Sequence, residues 1–316
     1  MAVQVVVLDD YQNAAREFGG WERLGERVEL TVLTEHVDDP DVLVQRLAHA
    51  EVVVAMRERT PFPEAVLDRL PRLRLLVTTG MANVAIDVSA AKRRGVTVTG
   101  TRGVGTGTAE LTWALILALV RQVPAESQRV RTGGWQSTIG GDLAGHTLGV
   151  VGLGRLGAQV ATVGRAFGMQ IVAWSQNLRP EHAAELGVRA VSKEELFADS
   201  DIVTVHLQLS DRTRGLIGEA ELRSMRPDAY LVNTSRGPII DEAALLTAVR
   251  EGWIGGAGLD VFDVEPLPAD HPLRTAPNTV LTPHLGYVTR ETYRVFYGDA
   301  VEDIDAFLAG SPVRVL

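Results

Sequence analysis

The chain of 316 residues contains no cysteine, which excludes disulfides and thiolate-held metal sites. It is short of positive charge: 31 Lys and Arg stand against 40 Asp and Glu, a formal net charge of −9. That balance argues against nucleic acid as a partner, because phosphate binding needs a basic surface. A local basic pocket for a small anion is compatible with it. The opening "MAVQVVVLDD" has no basic leader and meets Asp9 and Asp10 at once, so it reads as a first strand rather than a signal peptide. The apolar run at residues 115–120 is too short to span a bilayer. The stripe "AELTWALILALV" around it reads as core or interface packing. No His pair has helical metal spacing with a carboxylate between, so no metal is expected. These absences lead to the expectation of a soluble cytoplasmic protein with a small-molecule ligand.

What is present is ample apolar material, 46% of residues, enough for more than one core in a chain long enough for two domains. Short runs rich in Val and Ile alternate with helical patterns, the signature of βαβ units and buried parallel sheets. Strands are predicted at residues 3–8, 28–33, 52–56, 73–78 and 96–99. A second set follows at 147–151, 171–174, 202–206, 229–233, 256–261 and 280–282. Helices are predicted at 40–50, 63–70, 88–94, 108–122, 155–167 and 290–308. The fold class is therefore α/β, with two doubly wound Rossmann-like domains. The simplest packing returns the last helix to the first domain, which becomes discontinuous: residues 1–100 and 287–316 surround a second domain at 101–286. An interdomain cleft is then the default ligand site.

The run "VVGLGRLG" (residues 150–157) places Gly152, Gly154 and Gly157 in a G-x-G-x-x-G pattern between a predicted strand and a predicted helix. Gly152 permits a tight turn, Gly154 lets a pyrophosphate approach the backbone, and Gly157 lets the helix pack on the strand. The helix start offers N–H groups and a positive dipole end to phosphates. One thing is missing. About 20 residues past such a turn an Asp or Glu usually holds the adenosine ribose. Here "IVAWSQNL" (residues 171–178) puts Ser175, Gln176 and Asn177 at that place. None of them repels a 2′-phosphate, and Arg179 stands nearby as a phosphate partner or a solvated loop arginine. The cofactor is NAD or NADP.

Three further motifs end predicted strands: "NTSRG" with Arg236, "LDVFDVEP" with Asp260 and Glu265, and "TPHLG" with His284. Residues beyond the carboxyl ends of parallel strands line the ligand crevice. Arginine offers a planar fork to a carboxylate and a neighbouring carbonyl. Histidine can donate a proton to a developing alkoxide, and a carboxylate on its other ring nitrogen fixes the tautomer and favours the imidazolium. The trio suits reduction of a 2-keto acid.

At these residues the sequence closely resembles the D-isomer-specific 2-hydroxyacid dehydrogenases, a phosphoglycerate dehydrogenase-like family. The resemblance covers nearly the whole chain, through the glycine turn, "DRTRGLIG", "YLVNTSRGPIIDEAAL", "GLDVFDVEPLP" and "TPHLGYVT". It implies an oxidoreductase in which Arg236 binds substrate, Glu265 pairs with His284, and His284 is the acid/base. It implies that Asp260 holds the nicotinamide carboxamide, and that backbone N–H groups of Gly80, Met81 and Ala82 receive the substrate carboxylate. It implies two Rossmann-like domains, the first discontinuous, and a homodimer. Candidate cofactor contacts are Gly152, Gly154, Arg155, Leu156, Gly157, Ser175, Gln176, Asn177, Thr213, Thr234, Asp260 and Gly286. Tyr287 stands where many relatives have a small residue, and it either narrows the substrate pocket or adds a hydroxyl to it. The alternative class is a non-catalytic NAD(H)-sensing protein like the corepressors built on the same scaffold. His206, at a strand end, is either a packing residue or a crevice residue. Arg57 and Arg59 either bind a second anionic group or are solvated, and Trp135 meets either a partner subunit or ligand.

Overall fold

A computed structural model describes residues 2–316 and divides the chain into two units. The first holds the residues up to Val104 together with Val288–Leu316, and the second is Gly105–Tyr287. The first crossing falls four residues later than the sequence boundary of 100/101, and the second falls one residue later than 286/287. The first shift has a physical cause. Arg102 donates from its backbone N and its Nε to Asp299 Oδ2 (2.8 and 3.0 Å) and from Nη2 to Oδ1 (2.7 Å), which keeps the chain in the first unit. At the second crossing the Tyr287 ring packs edge-on against His284, 5.5 Å between centroids, within the second unit.

The first unit runs β1 (Val3–Val7), α1 (Ala15–Phe18), β2 (Val28–Val32), α2 (Pro40–Leu47), β3 (Val52–Ala55), α3 (Glu64–Leu67), β4 (Leu75–Thr78), α4 (Val88–Arg93) and β5 (Thr97–Gly100). Its sheet is parallel, in the order β2-β1-β3-β4-β5. β3 and β4 are buried at every residue, which is why they read as unbroken apolar runs rather than alternating ones. Helix starts are written into the sequence. Asp39 accepts the N–H of Asp41 ahead of α2 with Pro40 in the first turn, and Asp87 accepts the N–H of Ala90 in α4, caps typically worth about 1 kcal/mol each. The strand order reverses between β1 and β3, so residues 9–12, 56–59 and 79–83 lie beyond the carboxyl ends of β1, β3 and β4.

The second unit runs α5 (Gly107–Val120), α6 (Val123–Arg131), β6 (Thr147–Val151), α7 (Arg155–Ala166), β7 (Gln170–Trp174), α8 (Pro180–Glu185), β8 (Arg189–Ala190), α9 (Lys193–Asp199), β9 (Ile202–Val205), α10 (Glu219–Ser224), β10 (Tyr230–Asn233), α11 (Glu242–Glu251), β11 (Gly256–Leu259) and β12 (Thr279–Leu281). These form a seven-stranded sheet, β12-β11-β10-β9-β6-β7-β8, parallel throughout. The edge strand β8 has no counterpart in the sequence reading: two residues, Arg189 and Ala190, leave no apolar run to detect. Both faces are covered. Along β9, Ile202 joins one core with Leu115, Ile116 and Val160, while Val203 and Val205 join another with Leu231 and Ile239. Each fully buried Val, Leu or Ile contributes roughly 1.5–3 kcal/mol. The apolar stripe of α5 is therefore core: Trp113 is 5% exposed, and its ring lies 5.0 Å from that of Phe167. Among the described residues no helix is long and apolar enough to cross a membrane. α12 (Arg290–Leu308) belongs to the first unit, capped by Thr289 and packed against α1 and β4.

Candidate active site

The glycine turn leaves β6 and enters α7. Gly152 has φ +100°, and a Cβ there would press on the His206 carbonyl oxygen at 2.7 Å. Only glycine tolerates both conditions. A Cβ on Gly157 would overlap the Gly152 carbonyl, so the helix sits as close to the strand as a missing side chain allows. Gly154 is different: nothing lies within 4 Å of where its Cβ would be. It is also the α7 N-cap, no side chain caps that helix, and its first turn carries no acidic residue. Uncapped N–H groups, a positive helix end and an open backbone at Gly154 fit a pyrophosphate. Arg155 and Leu156 open this helix, and the Arg155 guanidinium lies against Gly105.

At the end of β7, Ser175 is half-buried and lines a hollow of about 360 Å³ with Trp174, Leu178, Val191, Ser192 and Glu195. Gln176, Asn177 and Arg179 are exposed. The Glu195 carboxylate is engaged in the capping box of α9, where Oε2 accepts the Ser192 N–H at 3.1 Å. Two other candidate contacts have hydroxyls with local partners. Thr213 donates to Gln208 O (2.7 Å) and accepts from Ser210 N (2.8 Å), closing its own loop. Thr234 is buried and bonded to Thr112 on α5 at 2.8 Å. His206 lies with Nε2 at 2.9 Å from Thr204 Oγ1, and burial pushes its pKa down to about 4, so it is neutral at physiological pH.

The three neighbouring strands β10, β11 and β12 carry Arg236, Asp260 and His284 just beyond their carboxyl ends. Parallel neighbours lie about 4.8 Å apart, so the three groups share one end of the sheet. Arg236 is half-buried and donates from Nη1 to Ser235 O at 2.7 Å. His284 Nδ1 lies 2.5 Å from Glu265 Oε2, and Glu265 Oε1 accepts the Phe262 N–H at 2.9 Å. The second contact fixes the carboxylate that orients the ring. His284 has φ +55°, a conformation that costs a residue with a side chain on the order of 1 kcal/mol. Asp260 holds the segment that imposes it. The carboxylate accepts Thr282 Oγ1 (2.6 Å) and Leu285 N (2.7 Å) on Oδ1 and Gly286 N (2.9 Å) on Oδ2. Asp260 is fully buried, and desolvation raises its pKa in spite of those donors. The sequence did not anticipate this clamp on the His284 loop.

In the first unit, Gly80 has φ +96° and its N–H donates to Thr101 Oγ1 at 2.9 Å. Met81 and Ala82 follow it and are exposed. A Cβ on Gly80 would overlap the Arg57 guanidinium, so Arg57 lies against this loop. Its backbone, at φ +52°, is held by Thr79 Oγ1 on the N–H and by Asn83 Nδ2 on the carbonyl. Arg59 stacks over the Tyr11 ring, 4.6 Å from its centroid.

The NAD-binding domain of the D-isomer specific 2-hydroxyacid dehydrogenases matches residues 113–286. The chain belongs to that family. Its reaction is the NAD(P)H-dependent interconversion of a 2-keto acid and a 2-hydroxy acid. It is 46% identical over 255 residues to glyoxylate reductase of Aeropyrum pernix, covering 78% of this chain and 76% of that one. It is 38% identical over 299 residues to glyoxylate reductase of Korarchaeum cryptofilum, covering 92% and 90%. Among solved structures, phosphoglycerate oxidoreductase from Vibrio cholerae superposes with a TM-score of 0.93 at 38% identity, covering 98% of this chain and all of that one.

Proposed function

We propose that this dehydrogenase reduces a small 2-keto acid such as glyoxylate to the D-2-hydroxy acid, with His284 as the acid and Arg236 as the substrate-binding cation. The observation that carries the reading is the 2.5 Å contact between His284 Nδ1 and Glu265, whose other oxygen is tied to Phe262 N. A carboxylate on Nδ1 leaves Nε2 to deliver a proton, and it stabilises the imidazolium before the proton leaves. Arg236 pairs with the substrate carboxylate and with the oxygen on which negative charge grows. In the first unit, the loop of Gly80, Met81 and Ala82 offers backbone N–H groups suited to a carboxylate, chiefly those of Met81 and Ala82, since the Gly80 N–H is engaged by Thr101. Tyr287, edge-on to His284, limits the size of the substrate side chain. When bound, the nicotinamide supplies the hydride in reduction. Asp260 serves the site by holding the His284 loop and by presenting its carboxylate to the carboxamide. Two relatives named glyoxylate reductase support the substrate class. No observation favours the sensor alternative.

The cofactor reading is that both NADH and NADPH serve. Ser175 places no carboxylate against a 2′-phosphate, and Gln176, Asn177 and Arg179 are exposed donors beside it. The assembly reading is a homodimer. Val123 and Val130 on α6 are 52% and 53% exposed, and Trp135 and Ile139 on the arm after it are 71% and 100% exposed; that arm is nevertheless tied to α6, through Arg129 Nε to Trp135 O and Ser137 and Thr138 to Glu126. An ordered apolar arm facing water suits a second copy. Sedimentation of the wild type and of Trp135→Ser with Ile139→Ser tests the assembly, and a wild-type monomer would overturn it. Oxidation of NADH and of NADPH, measured side by side with a panel of 2-keto acids, tests the activity. Turnover of glyoxylate with either cofactor is expected. No turnover of any 2-keto acid, despite nucleotide binding, would overturn the activity.

A further inference from the structure

Two hydroxyls on α5 join the loops that carry Arg236 and His284. Thr112 Oγ1 donates to Thr108 O at 2.8 Å. Its single proton is spent there, so Thr234 must be the donor in the 2.8 Å contact between Thr234 Oγ1 and Thr112 Oγ1. Thr234 stands two residues before Arg236. One turn earlier on the helix, Thr108 Oγ1 donates to Gly286 O at 3.0 Å, two residues after His284. The fit there is tight: a Cβ on Gly286 would lie 3.1 Å from Thr108 Oγ1 and 3.3 Å from Asp260 Oδ2. Gly286 is thus bonded on its carbonyl by α5 and on its N–H by Asp260.

We propose that Thr108 and Thr112 are positioning residues that fix the separation of Arg236 from His284. Neither touches the reacting atoms. α5 is a rigid ruler, buried along one face against β10, β11 and β12, and its two hydroxyls pin one loop each. A core threonine without such a duty would be replaceable by valine, which is also β-branched and has nearly the same shape. Here valine at 112 would strand the buried Thr234 hydroxyl, and valine at 108 would free the Gly286 carbonyl. A displacement of about 1 Å between acting groups can cost on the order of 100-fold in rate.

The proposal rests on the reading of Arg236 and His284 given above, and its test separates the two. Amide hydrogen exchange at Leu285 and Gly286 needs no substrate; it should be faster in Thr108→Val than in the wild type. In turnover, Thr112→Val and Thr108→Val should each lose roughly 10- to 100-fold in kcat, with nucleotide Kd within twofold, and Thr112→Ser should recover most of the loss. Unchanged exchange in Thr108→Val, kcat within twofold of wild type in the valine variants, or failure of Thr112→Ser to recover activity overturns the staple. Should Thr112→Val fail to fold, Thr108→Val, whose hydroxyl is only half-buried, decides the matter alone. A wild type inactive on every keto acid overturns the activity, while the exchange measurement still judges the staple.

Discussion

Replacement of Glu265 by Gln separates the electrostatic part of the site from its shape. Glu265 Oε1 accepts the Phe262 N–H at 2.9 Å, and Oε2 lies 2.5 Å from His284 Nδ1. The amide of a Gln keeps its oxygen on Phe262, because that donor has no alternative role, and so turns its NH2 toward His284. The ring must then present a bare Nδ1 and carry its proton on Nε2. A charge-assisted bond worth about 1.5–3 kcal/mol is lost from the imidazolium that donates in the reaction. At 1.4 kcal/mol per tenfold, kcat for keto acid reduction should fall by about 10- to 150-fold. The glycine turn is untouched, so the Kd for NADH by fluorescence titration should stay within twofold. A loss smaller than threefold in kcat would refute the pairing as the source of catalysis, and so would an equal loss in nucleotide affinity.

Three other expectations follow from particular residues. Ser175→Asp sets a carboxylate against the 2′-phosphate; at about 4 Å in water the repulsion of a dianion is near 2 kcal/mol, so the Kd for NADPH should rise about 30-fold while that for NADH holds or improves, and equal changes in both would refute the placement of the ribose. Gly157→Ala drives a methyl into the Gly152 carbonyl, a backbone clash of about 1–3 kcal/mol; calorimetry should find nucleotide binding weakened about 5- to 150-fold, and wild-type affinity would contradict a role of this turn in holding the nucleotide. His206 has its pKa lowered from 6.5 to about 4 by burial, so the unfolded chain takes up the proton first: its contribution to stability is complete above pH 6.5 and is lost as pH falls toward 4, by up to about 3 kcal/mol. The melting temperature of His206→Leu should therefore depend less on pH between 6.5 and 4 than that of the wild type, and parallel curves would show that His206 is not buried neutral.

The groups that were legible in the sequence are those whose chemistry is local. Gly152, Gly154 and Gly157 announce a backbone turn at fixed spacing, and Arg236, Asp260 and His284 follow short apolar runs that read as strands. What escaped detection depends on partners far along the chain. Thr112 meets Thr234 across 122 residues and Thr108 meets Gly286 across 178; a threonine in a helix carries no mark of such a bond. Arg102 holds the first crossing through Asp299, 197 residues away, which moved the boundary of the first unit. Thr213, a candidate cofactor contact by its place in a family motif, has a hydroxyl bonded within its own loop, which the motif did not announce. Asp260 was legible as a carboxylate at a strand end, but its three donors come from the loop it organises and appear only once β11 and β12 are neighbours.

The role proposed for His284 as the acid is decided by turnover of glyoxylate by the wild type and by His284→Asn, with nucleotide Kd measured on the same samples. A fall of at least about 100-fold in kcat is expected, with NADH bound as tightly as before. A variant that keeps a tenth or more of wild-type kcat would contradict it.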